Sequence, residues 1–492
     1  MSKQFFGHPI GLSTLFFTEM WERFSYYGMR ALLILFMVAA TESGGLGFSS
    51  EEAAAIYGLY TCGVYLLTLP GGWLADRVIG AQKAIWYGGI IIMLGHFTLA
   101  IPSETTFFLG LGLIVIGTGL LKPNVSAIVG DLYPEGGARR DAGFSVFYMG
   151  INIGAFLGPL VCSYLGEEVN WHAGFAFAGV GMFFGLVQFH FMKKNLGEVG
   201  LQPNINMDKN AKFGSGNNQL AAVFGIGAVL LLVALQYMGI IDLYTPRGLA
   251  EATFVIIGVV AVGYFAYVLL AGGLDGDEKR KVVVIFVLVM AAAMFWAGFE
   301  QAGSSLNLFG ERYTNRMVDG WEIPAGWLQS VNPMFIIIFS PIFGALWVKL
   351  AMLQLNPRTP IKFALGLILL ALGFFVMVQA AGIAASGLPA SPFFLILTYF
   401  LHTSGELCLS PVGLSTTTKL APRRYVSQMM GMWFVGTALG NLVAGLVAGA
   451  FDPENVQQMP DLFMSVVLST GGAGLVILAL SPWMQRWMGE IK

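Results

Sequence analysis

The sequence predicts an all-α membrane protein of about fourteen transmembrane helices, arranged as six plus two plus six. Three observations carry this: an apolar composition, a series of membrane-length apolar runs, and a lopsided distribution of basic residues. Of the 492 residues, 56% are hydrophobic and 11% are charged. Mean hydropathy is +0.72. A soluble domain carries about 25% charged residues, and half that share cannot keep a surface of this size wet. The composition excludes a cytosolic enzyme, a nucleic-acid binder and a disordered scaffold. The net charge of −2 gives no bias toward a nucleic-acid or membrane-surface partner.

Crossing a hydrocarbon core takes about 20 apolar residues. Such runs fall at 13–40, 52–76, 82–101, 105–130, 142–166, 172–193, 219–238, 251–272, 282–310, 325–352, 360–382, 391–418, 427–450 and 461–487. The first run carries Glu and Arg, so it reads as a retained helix and not as a signal peptide. With an even number of spans, both termini lie on one side. Twenty of the 26 basic residues then fall in loops on that side, and only Arg247, Arg312 and Arg316 on the other. The excess puts both termini in the cytoplasm. The longest polar stretch, 195–218, follows the sixth run. Residues 1–194 are expected to form an N-terminal six-helix bundle and 282–492 a C-terminal one. Residues 195–281 supply a cytoplasmic linker and an inserted helix pair. Two related six-helix bundles are a transporter signature.

An ionisable group inside a membrane is costly, so each one left there points to function. Removing loop residues leaves Arg23, Arg30 and Lys122 as cations, and Glu19, Glu22, Glu300 and Glu406 as anions. At 100° per residue, Glu19, Glu22, Arg23, Tyr26, Tyr27 and Arg30 share an arc of about 140°. That polar face is expected to line a water-filled cavity. Counting the helical rise along each run places Arg30 and Glu300 in the outer half. Lys122 and Glu406 come out nearer the cytoplasm. Each pair joins the first bundle to the second, so the two pairs are expected to close an outer and an inner gate in turn. The first bundle brings mostly cations and the second only anions. A cavity so polarised suits a zwitterion with separated charges, the form of a short peptide.

At these residues the sequence resembles the proton-coupled oligopeptide transporters of the major facilitator superfamily, bacterial type. Glu19-x-x-Glu22-Arg23-Phe24-x-Tyr26-Tyr27-Gly28 is similar to the family's ExxERFxYYG motif. The run from Gly71 to Gly80 resembles the superfamily's loop between helices two and three, and Phe147 to Gly154 the family's FYxxINxG signature. Phe295-Trp296 through Glu300-Gln301 and Ser404-Gly405-Glu406 through Ser410-Pro411 resemble its motifs in helices seven and ten. The inserted helix pair is also typical of bacterial members, and the resemblance covers nearly the whole chain. It implies the major facilitator fold and import of di- and tripeptides by proton symport and alternating access. It implies a multi-pass protein of the bacterial inner membrane with peptides, protons and the bilayer as partners. No cofactor is expected beyond the proton as coupling ion, no nucleic acid, and no enzymatic chemistry. Residue by residue, Arg30 and Lys122 would meet the peptide carboxylate, and Glu406 the amino group. Asn152 and Asn332 would bond the peptide backbone. Tyr26, Tyr27, Tyr65, Trp296, Ser410 and Trp433 would line side-chain pockets. Glu19, Glu22, Arg23 and Glu300 would handle the proton. A relative carrying another small anion or zwitterion, such as nitrate, is the alternative, and the intact ExxER run and Glu406 argue against it.

Other features read as structural. Cys62, Cys162 and Cys408 sit alone in apolar runs, without disulfide or zinc spacing. The Gly-x-Gly within 110–120 lies in a helical run with no strand before it, so it favours close helix contact over dinucleotide binding. Asp76, Arg77 and Lys83 read as a cytoplasmic hinge. His402, one turn before Glu406, reads as a helix–helix contact.

Overall fold

Helix starts are set by short polar residues that accept otherwise orphaned backbone N–H groups. Ser49 and Glu52 form a reciprocal capping box, as do Asp275 and Glu278. Asn170 accepts from the Ala173 N–H, and Thr245 accepts from Gly248 ahead of a first-turn proline. The computed structural model describes residues 4–134, 137–203, 233–239, 241–450 and 456–489.

In the first half the helices are α1 (Gly11–Val38), α2 (Ser50–Leu66), α3 (Thr68–Leu74), α4 (Ala81–Leu99), α5 (Glu104–Asp131), α6 (Gly137–Ser163) and α7 (Trp171–Met192). Then come α8 (Pro246–Ala271), α9 (Gly276–Phe299), α10 (Ser305–Tyr313), α11 (Val331–Met352), α12 (Thr359–Ala385), α13 (Pro392–Leu420), α14 (Val426–Ala448) and α15 (Met459–Met488). Two short antiparallel hairpins pair β1 (Gln4–Phe5) with β2 (His8–Pro9), and β3 (Met317–Val318) with β4 (Trp321–Glu322). Eleven helical stretches among the described residues are long and apolar enough to cross a membrane. The helix α1, with Glu19, Glu22, Arg23 and Arg30, is not one of them.

Every expected span but one falls on a helix. The exception, 219–238, lies outside the described residues apart from 233–238, of which 233–237 is helical. The polar stretch 195–218 is described only to residue 203, and Lys3, Lys209, Lys212 and Lys492 are outside the described residues. Two expectations need correction. The run 282–310 is not one helix: α9 ends at Phe299, a 3₁₀ turn covers Glu300–Gly303, and α10 starts at Ser305. Lys362 is not a loop residue. It lies inside α12, buried, with its ammonium 4.6 Å from the centre of the Trp347 ring on α11. The apolar stem packs inward while the ring face holds the charge. The second half therefore carries a buried cation that loop counting hides.

The start of α1, the α5–α6 connection and the segment after α7 gather at one end of the array. There His8 Nδ1 and Tyr133 Oη lie 2.9 Å apart, and Gln82 donates to Val199 O at 2.7 Å. We call this end the terminal face and its opposite the far face. Within the first half α1 packs on α6 and α7; within the second α12 packs on α13 and α15. Across the halves α2 meets α14 and α6 meets α11. The helix α8 lies on the outside of the α2–α14 seam. Its far-face end is tied to α2 by the Arg247–Glu51 ion pair, and its Tyr264 donates to Gln428 of α14 at 2.8 Å.

Candidate functional site

The two halves enclose a cavity of about 320 Å³. Its first-half wall includes Glu19, Arg23, Tyr27 and Arg30 of α1, Tyr65 of α2, Lys122 of α5, and Tyr148 and Asn152 of α6. Its second-half wall includes Trp296, Glu300, Asn332, Glu406, Ser410 and Trp433. Residues scattered over some 400 positions of sequence converge because one stripe of each helix faces inward.

The α1 stripe divides by angle. Glu19, Arg23, Tyr27 and Arg30 line the cavity. Glu22 and Tyr26, on the flank of the same arc, do not. Tyr26 stacks on Tyr60 of α2 with ring centroids 6.3 Å apart, and Glu22 is wholly buried against Arg23. Arg23 thus sits between two carboxylates, with Glu19 at 3.1 Å and Glu22 in direct contact.

Arg30 and Glu300 meet across the halves at 3.0 Å, both nearly inaccessible. The Arg30 Nε also donates to Tyr57 Oη at 2.6 Å, and Tyr27 stands 5.5 Å from the guanidinium. The break after α9 serves this pair. A Cβ on Gly303 would fall 1.9 Å from Tyr57 Oη and 2.8 Å from Arg30 Nε, so only glycine lets the turn approach.

Lys122 and Glu406 line the same cavity on opposite walls but form no ion pair among the described residues. The Lys122 ammonium sits 4.0 Å from the centre of the Tyr65 ring, within cation–π range. Glu406 Oε2 lies 3.5 Å from Asn332 Nδ2, which donates to Thr403 Oγ1 at 2.8 Å. Asn152 donates to Tyr148 O at 2.8 Å, one turn earlier on α6. His402 also borders the cavity, but its ring presses on Phe374 at 5.0 Å, the helix–helix contact expected.

Sequence reasoning missed Tyr148, Tyr399 and Gln329 of this lining. The first two were findable. Tyr148 lies inside the FYxxINxG run, and Tyr399 shares a helical face with Thr403, Glu406 and Ser410. Gln329 sits in the 3₁₀ turn Ala325–Ser330, where helical periodicity gives no signal. No cluster of three or more His, Cys, Asp or Glu able to hold a metal occurs among the described residues.

Polar bonds join the halves on the far-face side of the cavity. Asn307 donates to Ala31 O at 2.9 Å, Trp327 to Leu160 O at 2.8 Å and Ser330 to Phe156 O at 2.8 Å. The Arg30–Glu300 pair belongs to this set.

The family model of the POT family matches residues 82–462. The chain is 43% identical over 488 residues to the peptide transporter YePEPT of Yersinia enterocolitica subsp. palearctica, covering 97% of this chain and 95% of the relative. It is 37% identical over 505 residues to a di-/tripeptide transporter of Lactococcus lactis subsp. cremoris, covering 100% and 98%. Among solved structures it is similar to a crystal structure of peptide transporter POT in complex with sulfate. That match has a TM-score of 0.88 and 42% identity, and covers 99% of this chain and 97% of the other.

Proposed function

The chain belongs to the POT family, and from that premise we propose that it is a symporter importing di- and tripeptides by alternating access, driven by protons. It is a transporter and not an enzyme. The observation that carries the substrate class is the polarised cavity. Arg30 and Lys122 stand on one wall, and Glu406 with Asn332 on the other. A peptide carboxylate suits the first wall and an ammonium suits the second. A carboxylate at Glu406 disfavours an anion such as nitrate, which would be repelled there.

The roles follow from this reading. Arg30 and Lys122 bind the carboxylate and Glu406 the amino group, with Asn152 and Asn332 on the peptide backbone. Tyr27, Tyr65, Trp296, Ser410 and Trp433 shape the side-chain pockets, and Tyr26 supports them from behind. The coupling ion is the proton, carried by Glu19, Glu22 and Glu300 with Arg23 as counter-charge. Residues 1–194 and 282–492 form the two moving bundles, with 195–281 as linker and insertion. Both termini are cytoplasmic in the bacterial inner membrane, so the far face is the outside. Uptake of labelled dialanine into proteoliposomes under an imposed pH gradient tests the whole reading. Accumulation that collapses with a protonophore is expected. Gradient-independent equilibration would remove the proton, and no uptake would remove the peptide.

A further inference from the structure

One carboxylate outside the cavity joins the halves, and no helical stripe or motif marks it. Glu167 lies at the far-face end of α6, in the wide turn Tyr164–Val169. Its Oε2 accepts from the Ala325 N–H at 2.7 Å, and its Oε1 accepts from the Gly326 N–H at 3.0 Å. Both donors open the 3₁₀ turn Ala325–Ser330 that leads into α11. One carboxylate of the first half thus clasps two successive backbone donors of the second half, at a helix start whose free N–H groups favour negative charge.

The seam below the clasp is tight. A Cβ on Gly326 would fall 2.0 Å from Ser163 Oγ of α6 and 3.3 Å from the Ala31 side chain of α1. Ala31 O takes the Asn307 bond, and the neighbouring Arg30 takes Glu300. Glu167 and the Arg30–Glu300 pair therefore close one continuous seam, the first at its outer edge and the second at its cavity edge. The charged groups facing Glu167 are Glu311 of α10 and Arg316, on the segment that follows α10. Arg316 is itself paired with Glu322 at 2.8 Å. The turn 325–330 brings no ionisable side chain, Glu168 is exposed, and His172 of α7 is bonded to Leu99 O at 3.3 Å.

We propose that Glu167 is a second proton-responsive latch of the far face, a positioning residue acting ahead of Glu300. Ionised, it holds the turn 325–330 against α6 and keeps that face shut. A proton taken up there leaves a neutral carboxyl that no longer holds both donors at charge-assisted strength. The seam then loosens at its outer edge first, which exposes Glu300 to the next proton. The latch rests on the proposed proton symport, and it sets the order of events: outer carboxylate, then gate, then peptide.

The test places spin labels on Glu104→Cys and Leu388→Cys, exposed far-face positions of the two halves, and measures their separation by pulsed electron resonance in proteoliposomes from about pH 8 to pH 5. In the wild-type background the long-distance population should rise as pH falls. With Glu167→Gln it should already be about tenfold larger at the high-pH end, and its further rise should shrink, the effect of one lost charge-assisted bond. Glu167→Asp keeps the charge with shorter reach. It should keep the rise, with its midpoint moved to higher pH. A Glu167→Gln profile equal to wild type overturns the latch. So does equal loss of pH dependence in the Gln and Asp variants, which would make the contact merely structural. Should Glu167→Gln not fold, Glu167→Asp decides alone, and an unshifted midpoint overturns the proposal. The distances need no substrate. Failure of wild-type dialanine uptake would therefore count against the transport reading separately.

Discussion

Two cations of the first half and two carboxylates of the second face one another across this molecule, and the two pairs stand in opposite states: one is joined and the other is apart. At the far-face level Arg30 and Glu300 touch, nearly inaccessible and braced by Tyr57. At the deeper level Lys122 rests on the Tyr65 ring and Glu406 on Asn332, on opposite walls of the same cavity. On the proposed transport reading, the difference gives each pair its own role. Two opposite charges that meet across a moving seam act as a gate, because whatever neutralises one releases the other. Charges kept apart, each cradled by a neutral neighbour, are presented to a ligand that brings its own two charges. Depth arithmetic on the sequence makes the two pairs look alike; only geometry separates the joined pair from the parted one.

The largest way to break the comparison is to orphan the closed pair. Arg30→Ala leaves Glu300 buried without its partner, and this should cost about 3–5 kcal/mol of stability and abolish uptake. Thermal unfolding in detergent measures it. The double variant Arg30→Ala/Glu300→Gln should regain part of the stability but no uptake, since the buried charge is gone while the gate is still missing. Equal stability of the single and double variants would mean the pair is not tightly coupled.

The open pair should instead respond to the ligand. An N-acetylated dipeptide cannot offer an ammonium to Glu406 and leaves that carboxylate unanswered. Its competition against labelled dialanine should weaken by about 2–4 kcal/mol, roughly 30- to 1,000-fold. Equal competition by the free and acetylated peptides would assign the anchor elsewhere. A smaller effect sharpens the contrast. Tyr65→Leu removes the ring under Lys122, worth about 1 kcal/mol in a partly wet site, so peptide affinity should fall about fivefold with stability nearly unchanged. A stability loss of the Arg30→Ala size would make Lys122 a structural cation and erase the distinction.

Most of the fold was legible because membrane spans announce themselves by length and hydropathy, and the Arg30–Glu300 contact because α1 and α9 run the same way from the same face. Arg30 and Glu300 could be matched by counting residues alone. The misses share one physical cause, dependence on partners that sequence does not index. Lys362 looked like a loop residue because its partner is an aromatic face and not an acid. Glu22 and Tyr26 sat within the polar arc of α1, but the bulk of Tyr60 on α2 takes their flank of it. Glu167, one residue past the expected span 142–166, went unnoticed because its partners are backbone N–H groups 158 and 159 residues away. No side-chain pattern reports those.

The central claim is that Glu300, by holding or releasing Arg30, makes proton and peptide cooperative without touching each other. A proton on Glu300 frees Arg30 for the peptide carboxylate, so wild-type dialanine binding should strengthen as pH falls. Glu300→Gln fixes the protonated condition. Binding of dialanine to purified wild-type protein and Glu300→Gln, measured by calorimetry across about pH 5 to 8, separates the cases most directly. The expected result is a variant that binds with near-constant affinity, matching the wild type only at the acid end. A variant whose affinity follows the wild-type pH curve would contradict the claim and move the switch to Glu19 or Glu22.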